Sequence, residues 1–244
     1  MTKKRNIVLI LVVSTLVMLS FWGSLGYILF YSVNNEIKLE QEFSEIDNMI
    51  DENGLDDPDL DTKLNTYVSS HNYLVVEQAV KAYLRDLLKE SRNLYNLYND
   101  EKLTDLITIE NFKTDGKEFI NSQAYLEESQ VQLQNIQNNI NAIHTEENLQ
   151  KYLKKDLNDY YVDYYHEFIL NSDGNDLDEI NDSILSFANL IAEYQQFFKF
   201  LSDYQDYWYI ENNQLYFESD NLLDKYNHFF DDFEDSYDDN LTTI

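Results

Sequence analysis

The chain of 244 residues contains no cysteine, one proline and five glycines. The absence of cysteine excludes disulfide frameworks, thiolate zinc sites, cysteine nucleophiles and the lipid-modified cysteine of a bacterial lipoprotein, so the fold must be held by packing. Strong breakers are limited to Pro58, Gly23, Gly26, Gly54, Gly116 and Gly174, far fewer than an all-β or α/β chain of this length requires. An all-α fold is expected. Basic residues are also scarce, 17 against 46 acidic ones. Three of the 17, Lys3, Lys4 and Arg5, precede every acidic residue, and beyond Val33 the balance is 14 minus 46, or −32. A surface of that sign is repelled by a phosphate backbone and by anionic headgroups, which speaks against nucleic acid as a partner.

What the chain does have is one long run without charge, the 27 positions from Ile7 to Val33. As a helix it would extend roughly 40 Å, at about 1.5 Å per residue, enough to cross a hydrocarbon core of about 30 Å with some tilt. The apolar core of a signal peptide has only about 7 to 15 residues, so the run is expected to be a retained transmembrane signal anchor. Trp22, Tyr27 and Tyr31 gather towards its far end, where amphipathic rings prefer the headgroup level. Lys3, Lys4 and Arg5 precede it and the next basic residue is Lys38, which by the positive-inside rule places the N-terminus in the cytoplasm and the acidic region outside. Ser20 and Ser24 form a small-xxx-small pair, too common in apolar segments to argue for dimerisation. The expected organisation is a cytoplasmic N-terminus (1–6), a single-pass anchor (7–33), a helical stalk (34–56), an extracytoplasmic helical domain (57–235) and an acidic tail (236–244).

Helical periodicity fills the exported region. Ile37, Phe43, Ile46 and Ile50 carry it through the stalk, which should stop near Asn53 and Gly54. Asp57 and Pro58 stand as N-cap and first residue of a new helix. After a pause around Ser69, Ser70 and Asn72, a stronger helix is expected through Val76, Val80, Tyr83, Leu87, Leu94 and Tyr98. Leu103–Phe112 reads as a connector, ended by Asp115 and Glu118 as a capping box. Phe119, Leu126, Leu133 and Ile140 recur every seven residues, with Ile136 and Ile143 in the other seam position, as in a bundle or coiled-coil helix. The chain should turn near His144, with Thr145 as the next N-cap. Leu149, Leu153, Leu157, Tyr160, Tyr164 and Phe168 predict one helix ending at Asn171–Asn175, and Asp176 with Glu179 a capping box for the next. There Ile180, Ile184, Phe187, Ile191, Tyr194, Phe198, Leu201 and Trp208 form a heptad seam. Because Leu190, Phe197, Phe200, Tyr204 and Tyr207 occupy its other faces, this helix is either central or one side of a docking surface, central burial being the plainer expectation. WYIENNQLYF is compatible with a short C-terminal β-hairpin about Glu211, Asn212 and Asn213, and Ser219 or Asp220 could cap a last helix carrying Leu222, Leu223, Tyr226, Phe229 and Phe230.

Motifs of known chemistry are missing. A calcium loop starting at Asn171 would place Asp173, Asn175 and Asp182 correctly, but its sixth position is Asp176, Gly174 falls two places early and Asp178 takes the usual apolar eighth position. No HExxH pair, G-x-S-x-G elbow or phosphate-cradling glycine loop occurs, and His71, His144, His166 and His228 are scattered. His166 beside Glu167 in YYVDYYHEF is explained as well by a solvated helix face as by catalysis. With 46 acids, paired carboxylates carry no information. Asn181-Asp-Ser183 and Asn240-Leu-Thr242 match glycosylation acceptors, as an Asn-rich chain does by accident. No catalytic, cofactor-binding or metal-ligating residue is nominated.

The stretches NYLVVEQAVKAYL (Asn72–Leu84), LTDLITIENFKTDGKEF (Leu103–Phe119) and YYVDYYHEF resemble uncharacterised single-pass membrane proteins of low-GC Gram-positive bacteria. The resemblance implies a cell-surface membrane protein and carries no activity or site residues. The sequence thus favours a non-enzymatic, membrane-anchored interaction module of the cell envelope, with a protein partner or self-association through the aromatic-rich helix Asp178–Ile210. The alternative is cation or small-ligand binding by the acidic domain, at the aspartate-rich turns Asp51–Asp61 and Asn171–Asp182. The anchor has a direct check: washing membranes with alkaline carbonate should leave the chain in the pellet, and its release into the supernatant would exclude a spanning segment.

Overall fold

The computed structural model describes residues 33–153 and 157–230, apart from the side chains of 33, 34 and 170–179, as a mostly helical chain with a small two-stranded antiparallel hairpin. The elements are α1 (Val33–Asn53), α2 (Pro58–Asn65), α3 (His71–Tyr98), α4 (Glu101–Asp105), α5 (Ile109–Asp115), α6 (Ile120–Ile143), α7 (Glu146–Tyr152), α8 (Asp159–Asp203), a 3-10 turn (Gln205–Tyr207), β1 (Trp208–Glu211), β2 (Gln214–Phe217) and α9 (220–230). The cytoplasmic segment, the anchor up to residue 32 and the acidic tail lie outside the described residues. Among those described, no helix is long and apolar enough to cross a membrane. The chain divides into two compact units, residues 1–93 with 136–183 and residues 94–135 with 184–244, so the expected 57–235 domain is shared between them.

In the first unit, Asp57 caps α2 by accepting from the N–H of Asp59 at 2.8 Å, with Pro58 leading the helix as expected. Residues 34–56, expected as a stalk, instead pack into the unit: Leu39, Phe43, Ile46 and Ile50 of α1 are all buried. What locks α1, α2 and α3 together is charge. Lys81 is wholly buried, with Nζ 2.5 Å from Glu42 Oε1 on α1 and 2.9 Å from Glu77 Oε1 one turn earlier on α3. The same ammonium donates to the carbonyl oxygen of Thr66 at 2.6 Å. Glu77 in turn accepts from the N–H groups of Val68 (3.0 Å) and Ser69 (2.9 Å) and from Ser69 Oγ (2.6 Å). Burial alone would push the Glu77 carboxyl up, but bonds from Ser69, Lys81 and Val68 outweigh it and hold the group below the ordinary carboxylate range. Further along α3, Arg85 donates to the carbonyl oxygen of Leu64 at 2.9 Å and Arg92 to that of Leu55 at 2.8 Å. Residues 77, 81, 85 and 92 share one helix face by their spacing, and that face satisfies the polar ends of α2 and its flanking segments.

The second unit has an aromatic core. Phe119 lies 4.9 Å from Phe198, 5.4 Å from Phe112 and 6.0 Å from Trp208, centroid to centroid. Trp208 Nε1 donates to the carbonyl oxygen of Leu201 at 2.7 Å, so its one polar atom is paired. The hairpin turn is Asn212-Asn213, both with positive φ (49° and 63°), as a two-residue type I′ connection demands. Ser219 caps α9, accepting from the N–H of Leu222 at 3.2 Å. The expected seams are buried: Phe119, Leu126 and Leu133 in this unit, Ile136, Ile140 and Ile143 in the first.

Four expectations are corrected. Leu103–Phe112 is not a connector: Asp100 and Thr108 cap two short helices, α4 and α5, by accepting from Lys102 N (3.0 Å) and Asn111 N (3.2 Å). Asp115 does cap α6, accepting from the N–H groups of Asn121 (2.9 Å) and Ser122 (2.7 Å), but across a turn in which Gly116 has φ 77°. The helix therefore starts at Ile120, and Glu118 stands outside it instead of closing a capping box. Leu149–Phe168 is not one helix, because α7 ends at Tyr152 and α8 begins at Asp159. The buried positions of early α8 are Tyr165 and Ile169, with Tyr160 exposed. Finally, the break at Asn171–Asn175 and the Asp176–Glu179 box do not occur, since α8 runs unbroken for 45 residues. Polar residues and one glycine each cost a helix at most about 1 kcal/mol, and α8 is packed on either side of them through Tyr165 and Ile169 before and Ile180 and Ile184 after.

The Lys81 network makes a quantitative prediction. Lys81→Met should lower unfolding free energy by about 3–5 kcal/mol, because buried Glu77 loses its counter-ion and buried Glu42 keeps only its pair with Lys63, at 2.7 Å. Adding Glu42→Gln and Glu77→Gln should recover much of the loss, as followed by urea unfolding with circular dichroism.

Candidate functional site

The helix offered as a docking surface turns its aromatic residues inward. Phe197 is 0% and Phe200 8% exposed, as the expectation of a central helix requires and a docking surface at these residues does not. Phe197 is enclosed by Tyr226, Phe229 and Phe230 at 5.6–5.8 Å, and Phe200 packs on Tyr204 at 5.4 Å and Phe229 at 5.5 Å. The helix α9 supplies this cover, and its apolar residues were visible in the sequence without an indication of what they face.

Aromatic surface is found instead on the hairpin. Strand pleating sends alternate residues to opposite faces, so Trp208 and Phe217 pair on the inner side while Tyr209 and Tyr216 pair on the outer one. Tyr209 and Tyr216 stack with centroids 5.4 Å apart and planes at 16°. They are 47% and 37% exposed, and Tyr207 just before β1 is 53% exposed. The platform is held firmly from beneath. The Lys117 ammonium sits 4.7 Å from the Trp208 ring centroid and donates to the carbonyl oxygens of Trp208 (2.8 Å) and Gln205. Lys113 donates to Asn213 Oδ1 in the turn at 2.5 Å.

A second tyrosine cluster belongs to the first unit. The hydroxyls of Tyr73 (α3) and Tyr160 (α8) both donate to Glu36 Oε1 on α1 at 2.5 Å. Tyr161 and Tyr164 lie edge-on to the Tyr73 ring at 5.0 and 5.9 Å. Burial, followed by the hydrogen bond to Glu36, pushes the Tyr73 hydroxyl far above its ordinary value, and burial does the same to Tyr164. These phenols are fixed donors and structural aromatics, unsuited to acid–base exchange near neutrality.

The remaining sequence candidates do not converge. Among the described residues, no group of three or more His, Asp or Glu side chains is placed to hold a metal ion. Asn171–Asp182 is helical and offers no loop. In Asp51–Asp61, Asp57 serves as a cap and Asp61 pairs with Arg92 at 3.0 Å. His144 Nε2 lies 2.9 Å from the Tyr83 hydroxyl and its Nδ1 2.7 Å from the Ile140 carbonyl oxygen, whereas His166 Nε2 is 3.8 Å from Glu146. His71 and His228 are exposed elsewhere. Comparison of the chain with protein-family models, curated proteins and solved structures found no match.

One acid is set apart by its surroundings. Asp47 on α1 is half-buried, its Oδ1 is shut from solvent without a hydrogen-bond partner, and burial together with Asp51 pushes its carboxyl up to about 7. The unfolded chain binds that proton only near pH 4, so the group's contribution to stability is fullest below that pH and is lost as pH rises to about 7. Asp47→Asn should therefore stabilise the chain at pH 8, by on the order of 1 kcal/mol or about 2–4 °C in Tm once screening is allowed for. Thermal melts at pH 4 should show no such difference.

Proposed function

We propose that the chain is a non-enzymatic, single-pass membrane protein whose extracytoplasmic helical region docks a basic protein of the cell envelope. The observation that carries this reading is the outer face of the hairpin, where Tyr209 and Tyr216 stack and are exposed, with Tyr207 exposed just before β1. Tyrosine offers large amphipathic contact area at low conformational cost and is enriched at the energetic centres of interfaces. The charge of −32 beyond Val33 favours a basic partner and should make association fast and salt-sensitive. The membrane location, with N-terminus cytoplasmic, rests on the uncharged run Ile7–Val33 and the basic residues before it. The alternative of cation or small-ligand binding has less support, since the two segments that prompted it form a helix and a capped turn.

Photo-crosslinking in native membranes tests the docking. Probes at Tyr207, Tyr209 and Tyr216 should give one discrete adduct with a basic envelope protein, and its yield should fall as salt is raised. It should vanish in a Tyr207→Ser, Tyr209→Ser, Tyr216→Ser variant whose melting is unchanged. Self-adducts alone would replace the docking reading with homo-oligomerisation, and salt-indifferent adducts that survive the triple substitution would end it.

A further inference from the structure

The first unit leaves a second apolar area uncovered, and its position points to an occupant. Among the described residues of this unit, the exposed large apolar side chains are Ile37, Tyr67, Val68 and Tyr160. They come from three separate parts of the chain, yet the hydrogen bonds bring them to one end of α1. Tyr160 donates to Glu36 in the first turn of α1, next to Ile37. Ser70 Oγ donates to Asn35 Oδ1 at 3.4 Å, which ties the end of the 66–70 segment to the same turn. Val68, two residues earlier, is pinned to Glu77. Tyr67 lies with its ring centroid 5.6 Å from Lys81 Nζ, the group that binds Glu42. Glu36 and Glu42 are six residues apart, about 9 Å along a helix, so these links fall on the first half of α1, the end that begins at Val33.

We infer that this face is seated in the zwitterionic headgroup layer of a lipid bilayer, an inference that rests on the anchor reading given above. The uncharged run of 27 residues ends at Val33, the first residue of α1, so the face begins where the proposed anchor leaves the hydrocarbon. As a helix that run is about 10 Å longer than the hydrocarbon core, and a surplus of this kind is accommodated by tilt. The composition of the face fits the headgroup level, where tyrosine rings lie with the body in the apolar boundary and the hydroxyl in the polar layer. Its charged neighbours are of both signs, with Lys38 exposed next to Ile37 and Glu36 and Asp159 beside it, and the acidic excess of the chain beyond Val33 disfavours anionic headgroups, so zwitterionic ones are taken. The face is also stiff at Tyr160, which Tyr161 and Tyr164 back with ring contacts of 5.1 and 6.5 Å, themselves held by Tyr73 at 5.0 and 5.9 Å. Seating it therefore orders few side chains that folding has not already ordered.

The lack of native cysteine makes the test direct. Single variants Ile37→Cys, Val68→Cys and Tyr160→Cys of the full chain would be labelled with an environment-sensitive fluorophore and reconstituted in phosphatidylcholine vesicles. Glu52→Cys, exposed at the far end of α1 and about 28 Å from Val33 at 1.5 Å per residue, is the control on the same unit. Leu16→Cys reports on the anchor itself. Labels at the three face positions should be quenched several-fold more by lipid carrying a doxyl group near the headgroup than the label at Glu52→Cys, and should be shielded from aqueous iodide. If they match Glu52→Cys while Leu16→Cys is quenched by lipid, the face stands clear of the membrane and the inference fails with the anchor intact. If Leu16→Cys is itself open to iodide, the anchor reading fails and takes the inference with it. Because three exposed positions are probed, one badly folded variant leaves the other two to decide.

Discussion

The ammonium group of Lys81 is the point on which the first unit turns. Beyond Val33 acids outnumber bases 46 to 14, so an acidic helix cannot be packed against another unless the few available cations are placed between them. Lys81 lies between Glu42 and Glu77 and also takes up the carbonyl oxygen of Thr66. Glu77 then faces the N–H groups of Val68 and Ser69. One nitrogen thus fixes α1, the end of α2, the 66–70 segment and α3 relative to each other. An isolated charge in that position would be prohibitive, and only the completeness of the hydrogen bonding makes it tolerable. Lys117 plays a comparable part in the second unit, where it joins the Trp208 ring and two carbonyl oxygens of the turn leading into β1. Both lysines act on backbone carbonyls that no helix partner satisfies, which is the general need at helix ends.

That use of charge explains what the sequence did and did not disclose. Periodicity reports which side of a helix is apolar, so the seams through Phe119–Leu133 and Ile180–Leu201, the Asp57–Pro58 and Thr145 starts and the Asn212-Asn213 hairpin were all legible. It is silent about contacts distant in the chain. Lys81, Glu77 and Glu42 sit at apolar-face positions of their helices, and the only trace of this in the sequence is the i,i+4 spacing of Glu77 and Lys81, a pattern that surface helices share. The break expected at Asn171–Asn175 illustrates the reverse error. Asn, Ser, Asp and Gly lower helix propensity residue by residue, but a helix already packed on both sides of such a stretch continues through it. At Leu103–Phe112 the caps Asp100 and Thr108 start helices only a turn or two long, too short for an apolar period to separate helix from connector.

The aromatic residues show the same limit from the side of function. Phe197, Phe200 and Tyr204 fall on a different stripe from the heptad seam, a pattern that fits either a central helix or a docking surface, and α9 and the hairpin cover that stripe. Tyr209 and Tyr216 were legible only as β-formers. Their exposure follows from register: pairing Trp208 with Phe217 fixes Tyr209 opposite Tyr216 on the other face, and a slip of one residue would exchange the two sets. Burial of Trp208, secured by the bond from its Nε1 to Leu201, is therefore what presents the outer tyrosines.

The two exposed areas have in common that tyrosine supplies much of their surface, while Lys81 and Lys117 serve carboxylates and carbonyl oxygens within the fold. In a chain with a charge of −32 beyond Val33, long-range electrostatics already discriminates against polyanions, so a contact surface need not carry charge to be selective. Tyrosine supplies what charge cannot: area that is apolar enough to leave water and a hydroxyl that remains paired when it does. On the hairpin, the rings project from paired strands and are held from below by Lys117 and Lys113. At the start of α1, Tyr160 is fixed through Glu36, whose carboxylate is already engaged by two phenols. In the inferred seating at a headgroup layer the same bonds act on solvation: a carboxylate loses water as the layer approaches, and the two hydroxyl groups already on Glu36 would offset that loss.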